Sequence, residues 1–240
     1  MLYNLEQPTN QILAALPQSE YLRLADYLQP VDLTAHTVLH NAGEMLKEVY
    51  FPEQAMISSI SIVSDGSTSE ICLIGNEGMI GLPVILGSDC ATNCSVVRVS
   101  GKAFKLSAAI LKQEFRRNER LPQLLLSYTQ AQLIGVAQTA VCNRKHKIEE
   151  QLARWLLSAR DRLQTNELPL TQEVIANMLG VRRTSVSEAA NKLQKKSAIH
   201  CKRGRISIVD GDCLETIACE CYGLVRNEVE RLLSVDRGRL

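Results

Sequence analysis

The spacing of hydrophobic positions changes character twice along the chain. Over residues 11–28, Leu13, Leu16, Tyr21, Leu22, Leu24, Ala25 and Leu28 recur at near-helical intervals, which predicts two short helices hinged at Pro17. From Val31 to Leu106 the texture becomes that of strands. The runs VDLTAHTVL, EVYFP, AMISSISIV, SEICLIG, CSVVRVS and AFKL are rich in β-branched residues and are separated by NAGE, SDGS, GNEG and GSD. Short runs at that interval predict a small antiparallel barrel or sandwich.

Helical periodicity returns at Pro122, which suits the first residue of a helix running through Cys142. Leu124, Tyr128, Ala131, Gly135, Gln138 and Cys142 alternate by four and three on one face, and Leu126, Leu133, Val136 and Ala140 form a second apolar stripe. Two apolar faces need two partners. One is assigned to the β-rich region and the other to the same helix of a second copy, because a 3–4 repeat is the seam of a coiled coil. The first set is taken as the dimer interface, with Gly135 where two backbones approach closely. The segment IEEQLARWLLSARDRLQ then reads as an amphipathic helix with Ile148, Leu152, Trp155, Leu156 and Ala159 inward, followed by a loop over Thr165–Pro169.

Residues 170–209 carry the most specific pattern. Thr171 is a candidate helix N-cap, Glu173 lies in the first turn where its charge suits the helix dipole, and Val174, Ile175, Met178 and Leu179 supply buried positions. Gly180 ends this helix at a left-handed position, Val181 plugs the turn, and Val186, Ala189, Ala190 and Leu193 face inward from a second helix. A small residue, Ala176, in the first helix, a glycine turn and an inward valine at this spacing make a helix-turn-helix. The outward face offers Arg182, Arg183, Thr184, Ser185, Ser187, Glu188 and Lys192, short polar and basic groups suited to base edges and phosphates. Ile199 to Val209 read as a two-stranded wing around Lys202, Arg203 and Arg205.

Charge supports this division. The net charge of +1 hides an asymmetry: residues 1–100 carry three Lys and Arg against eleven Asp and Glu, a balance of −8, so residues 101–240 carry +9. An acidic half joined to a basic half fits a polyanion-binding module attached to a module with another task. Aromatic residues make up only 4%, which disfavours a stacking platform for single strands. The uncharged stretch Leu121–Asn143 holds Gln123, Ser127, Thr129, Gln130, Gln132, Gln138 and Thr139, whose polar groups are costly in hydrocarbon, so no membrane span is expected. An N-terminus without export features and eight cysteines point to a cytoplasmic chain with reduced thiols.

An acidic β-rich region, a long uncharged helix and LTQEVIANMLGVRRTSVSEAANKL followed by a basic wing together resemble the Crp/Fnr family of bacterial transcription regulators over nearly the whole chain. The resemblance implies an α+β chain: a double-stranded β-helix (cyclic-nucleotide-binding-like jelly roll) over residues 1–120, a dimerisation helix over 121–143, and a winged helix-turn-helix over 144–240. It implies a homodimer that reads a two-fold symmetric site in double-stranded DNA, with Thr171 added to the DNA-facing set, Arg183 where a guanine-reading arginine is common, and RNA polymerase as a further candidate partner. The phosphate cassette departs from the family pattern. Gly81-Leu82-Pro83 and Asn93-Cys94 stand where glycine-glutamate-leucine and arginine-serine are expected, so the groups that would hold a ribose hydroxyl and a cyclic phosphate are Leu82 and Asn93. That argues against cyclic AMP in the usual mode and leaves Gly81, Leu82, Pro83, Asn93, Cys94, Gln132 and Val136 as the effector pocket. The effector itself is unknown.

The cofactor is unknown, and no metal site is expected. The iron–sulfur branch of the family uses a cysteine cluster near the N-terminus, and here the first cysteine is Cys72. Cys219 and Cys221 are two apart, about 200° on a helix, and are read as facing different sides of a final helix capped by Asp212. Cys90 and Cys94 are the one pair considered as a redox switch, and His36 and His40 are read as structural, with no haem motif. No nucleophile elbow, phosphate-binding loop, His-Glu-x-x-His motif or zinc spacing points to an enzyme. The competing functional reading is a sensor or interaction module whose winged domain binds protein instead of DNA.

Overall fold

The computed structural model describes residues 8–66 and 68–233. Two short helices, α1 (Gln11–Ala14) and α2 (Gln18–Ala25), precede seven strands: β1 (Gln29–Leu33), β2 (Val38–His40), β3 (Glu48–Pro52), β4 (Met56–Ile62), β5 (Thr68–Ile74), β6 (Cys94–Val99) and β7 (Gly101–Ser107). The strands form two antiparallel sheets of order β1-β7-β3 and β2-β6-β4-β5. Inward-facing Phe51, Met79 and Leu106 pack with Ile12 and Leu13 of α1. Asn10 fixes α1 in place: its side-chain Oδ1 accepts from Leu13 N at 3.2 Å, while its Nδ2 donates to Pro52 O at 2.9 Å and Gly78 O at 2.8 Å.

After α3 (Ala108–Phe115) comes the central helix α4, Arg120–Lys145. It begins two residues before Pro122 and runs three past Cys142, and the early start has a tertiary cause. Buried Glu20 of α2 accepts hydrogen bonds from the backbone of Arg120 and Leu121, both at 3.0 Å, and so caps the first turn of α4 from about a hundred residues away.

The remaining elements are α5 (Ile148–Leu163), β8 (Glu167–Leu168), α6 (Gln172–Leu179), α7 (Arg183–Lys195), β9 (Ile199–Lys202), β10 (Arg205–Ile208), α8 (Gly211–Ile217) and α9 (Cys221–Leu233). The segment expected as a loop contains β8, which joins the wing as a third strand in the order β8-β10-β9. The final helix is also two helices rather than one. Asp210, not Asp212, caps α8 by accepting from Cys213 N at 2.9 Å, and Ala218 turns the chain into an extended conformation before α9 starts at Cys221.

Trp155, Leu156, Ile175, Val186, Leu193, Ile206 and Leu214 form the C-terminal core, which also takes in Met56 and Leu73 from the β sheets. The two halves are further tied by Trp155 Nε1 donating to Glu70 at 3.0 Å, and by Arg162, which donates to Leu73 O at 3.0 Å and pairs with the buried Glu77 carboxylate at 2.9 Å. No helix of the described residues is long and apolar enough to cross a membrane.

Candidate nucleic-acid interface and effector cavity

The helix-turn-helix is built as its local chemistry requires. Thr171 Oγ1 accepts from Val174 N at 3.2 Å and caps α6; Gly180 takes φ 65° at its end, and Val181 N closes the turn on Ala176 O at 3.0 Å. Val186, Ala189, Ala190 and Leu193 bury the inner face of α7 against α5 and α6. On the outer face Arg182, Arg183, Thr184, Glu188 and Lys192 are exposed and Ser185 is half-buried. Arg182 is the N-cap residue and its side chain makes no capping bond; Ser185 N is held by Arg182 O at 3.0 Å, so it is the Arg183 and Thr184 amides that could donate to an anion.

Two of the hydroxyls expected to face DNA are already committed. Thr171 spends its oxygen on the α6 cap, and Ser187 Oγ donates to Gln172 Oε1 at 2.7 Å and lies 3.0 Å from Arg183 O. Ser187 therefore ties α7 to α6 instead of standing free for a base edge, and Gln172, which the sequence pattern did not single out, is its partner. The wing turns at Gly204 with φ 75° and leaves Lys202, Arg203 and Arg205 exposed at its tip. Arg205 lies 3.7 Å from exposed Glu167, a pair weak enough to yield to a phosphate, and exposed Lys192 lies 3.8 Å from half-buried Glu149.

A cavity of about 390 Å³ lies between the β sheets and α4, and Gly81, Leu82, Pro83, Asn93, Gln132 and Val136 line it together with Leu86, Leu133 and Ile80. Cys94 does not: it is buried in a separate cluster with Ile60 and Val96, where burial pushes its thiol up from the usual range. That also removes it as the low-pKa partner of exposed Cys90. Gly81 adopts φ 107° at the head of a short 3-10 turn, Leu82–Val84, and Pro83 in that turn has no amide hydrogen to offer a ligand. None of the lining residues is Lys or Arg. His40, a lining residue at the end of β2, is buried beside Tyr50, and desolvation lowers its pKa despite the opposing pull of Glu44 and Glu48.

The central helix reverses the expected assignment of its faces. Leu124, Tyr128, Ala131 and Cys142 are buried within the chain's own core, Gly135 faces Val225 of α9, and Gln138 donates to Cys221 Sγ at 3.0 Å. The four buried side chains are not available to a partner chain, Gly135 and Gln138 are half-buried, and within the chain a Cβ on Gly135 would meet only an ordinary contact at 3.9 Å. The face left open carries Leu126, Gln130, Leu133, Ala137 and Ala140, again spaced by four and three. Leu126 and Leu133 are 53% and 67% exposed.

One further reading changes. The chain leaves helical geometry at Ala218, so Cys219 and Cys221 do not face different sides of one helix; both thiols meet Cys142 and His146 at the end of α4. His40 is buried in the cavity lining, and His36 takes φ 72° in a turn.

Residues 150–217 match the model of the Crp-like helix-turn-helix domain. No curated protein sequence matches the chain. Among solved structures, FixK2 from Bradyrhizobium japonicum superposes with a TM-score of 0.70 at 15% identity, covering 80% of this chain and 98% of that one. The c-di-GMP-responsive global regulator CLP of Xanthomonas campestris gives 0.65 at 14% identity, with 80% and 99% covered. A CRP/FNR-family transcriptional regulator from Thermus thermophilus gives 0.62 at 15%, with 79% and 98% covered. The β-roll, long helix and winged helix-turn-helix expected from the sequence are thus the fold this chain has, and residues 150–217 of it match a Crp-like helix-turn-helix domain.

Proposed function

We infer that this chain, a Crp-like helix-turn-helix domain carried on the Crp/Fnr fold, works as a homodimeric, sequence-specific transcription regulator gated by a small and mainly apolar effector. The observation that carries the reading is the outer face of α7, where Arg183, Thr184 and Glu188 stand exposed next to an N-terminus without a side-chain cap, flanked by the basic wing tip. We assign residues 1–120 to sensing, 121–143 to dimerisation and 144–240 to DNA reading. Arg183 reads a base edge; Arg182, Lys192, Lys202, Arg203 and Arg205 neutralise phosphates.

Dimerisation through the open stripe of α4 would place two copies of α7 for half-sites about 34 Å apart. Leu133 and Val136 belong to this helix and also line the cavity. A ligand there touches the same turns that meet the partner, so occupancy would shift the seam and with it the spacing of the recognition helices. The cavity's apolar, cation-free lining suits a neutral ligand, because a phosphate buried without a charged partner would lose several kcal/mol of hydration with no compensating bond. A calorimetric titration with cyclic AMP is expected to show no saturable micromolar binding.

The test of the reading is selection of a random duplex pool by the purified protein at moderate salt. A two-fold symmetric consensus, with affinity falling steeply as salt rises, supports it. Failure to retain duplex DNA at low salt, or capture of protein partners with little salt dependence, favours the interaction-module reading instead.

A further inference from the structure

Four side chains with no part in the DNA-facing surface or the cavity converge where the central helix meets the C-terminal helices. Cys142 lies in the last turns of α4, His146 follows it by four residues at the joint with α5, and Cys219 and Cys221 sit at the break between α8 and α9. Their donor atoms all lie within 4.8 Å of one another; Cys142 Sγ is 3.5 Å from Cys219 Sγ, and Cys221 Sγ is 3.5 Å from His146 Nδ1. All three cysteines are buried.

These separations have a specific meaning. Zinc–sulfur bonds of about 2.3 Å arranged as a tetrahedron place the donors about 3.8 Å apart, and three thiolates with one imidazole are a familiar closed structural set. Four thiol and imidazole groups gathered at that spacing, from segments nearly eighty residues apart in sequence, go beyond what apolar packing of cysteines requires.

We propose that Cys142, Cys219 and Cys221, through their sulfurs, and His146, through Nδ1, bind one zinc ion that clasps the end of the central helix to the α8–α9 break. On binding, three sulfur–zinc bonds and one nitrogen–zinc bond form, the three thiol protons pass to solvent, and no group is oxidised or reduced. The surroundings fit. His146 Nε2 lies 3.2 Å from Glu220 Oε1, so with Nδ1 on the metal the ring's other N–H donates to a carboxylate, which fixes tautomer and orientation. Gln138 donates to Cys221 Sγ at 3.0 Å, a bond that stabilises sulfur carrying negative charge. From α5, buried Gln151 donates to His146 O at 2.9 Å and lies 3.4 Å from Cys142 O, holding the backbone of two ligands.

This proposal does not depend on the DNA-binding reading and is tested without it. Full-length protein purified under reducing conditions, with no metal added, is expected to contain one zinc per chain by elemental analysis. After chelation it should take up one cobalt ion, with sulfur-to-cobalt charge-transfer bands and the intense visible bands of tetrahedral coordination. C142S and C219S should lose the metal, E220Q should bind zinc roughly tenfold more weakly, and C90S, outside the cluster, should keep it. Because Cys142 is buried and its variant can misfold, the cobalt spectrum of the unmodified protein is the deciding measurement. Metal-free protein that takes up no cobalt overturns the proposal, as does a Cys142–Cys219 disulfide found by mass spectrometry under the same conditions. Iron or copper bound in place of zinc overturns the zinc assignment.

Discussion

Replacing Leu126 by Glu tests which face of the central helix meets a second copy. Leu126 is 53% exposed and Leu133 67% exposed in the single chain. A leucine side chain taken wholly out of water contributes about 1.5–3 kcal/mol, so the half to two thirds still to be covered is worth about 1–2 kcal/mol per leucine. A two-fold seam repeats Leu126 on both helices, so L126E removes about 2–4 kcal/mol before any repulsion between the two new carboxylates is counted. That weakens the dimer by roughly 30-fold to 1,000-fold. Leu126 is the suitable probe because it lines neither the cavity nor the chain's own core. Sedimentation equilibrium over a concentration series should show L126E shifting to monomer while far-UV circular dichroism stays native. L124E, at a position 1% exposed within the chain, should lose the folded signal instead. A folded L126E that keeps the parent dissociation constant would refute the seam, and a folded but monomeric L124E would restore the original assignment.

Arg183→Ala should flatten discrimination at one base position, whereas Lys202→Ala should weaken all duplexes alike and reduce the salt slope by about one; equal effects in a competition assay would argue against base reading by Arg183. Glu77→Ala leaves the Arg162 guanidinium without its buried 2.9 Å partner, and urea denaturation should show a loss of about 3–5 kcal/mol, with a change under about 1 kcal/mol counting against the clamp between the two halves. His40 is held below the ordinary imidazole value of 6.5, first by burial, so the unfolded chain binds more protons than the folded one as pH falls through that value. Its contribution to stability is therefore present above pH 6.5 and is lost on acidification, and His40→Phe should reduce the fall in stability from pH 7 to 5; an unchanged pH profile would show that His40 is not its source.

Much of the architecture was legible in the sequence because its determinants are local. The Thr171 cap, the Gly180 turn and the inward Val186 act within a few residues of one another, and each sits in the structure as the spacing predicts. The β-branched runs became strands for the same reason, and most of the residues named for the pocket line one cavity. The winged domain could be read to the level of which side chains face outward. Its hydroxyls could not: Ser187 faces the right way, yet its hydrogen bond goes to Gln172, fifteen residues earlier.

Periodicity determines which residues share a face, but it does not say what covers that face. Both stripes of α4 are apolar and both repeat by four and three, so only the packing of α9 and the β sheets decided that Tyr128 and Cys142 lie inside and Leu126 and Leu133 outside. The start of α4 was set by Glu20, and the meeting of Cys142 with Cys219 by a break at Ala218 that brings together positions 77 residues apart. Such contacts form only when the chain closes long loops against its entropy, and the gain that offsets this cost comes from partners that a local window does not contain. The sequence alone therefore determined most of the elements and the helix-turn-helix motif. The tertiary structure decided which face is free, which hydroxyls are spent, and where four potential metal donors converge.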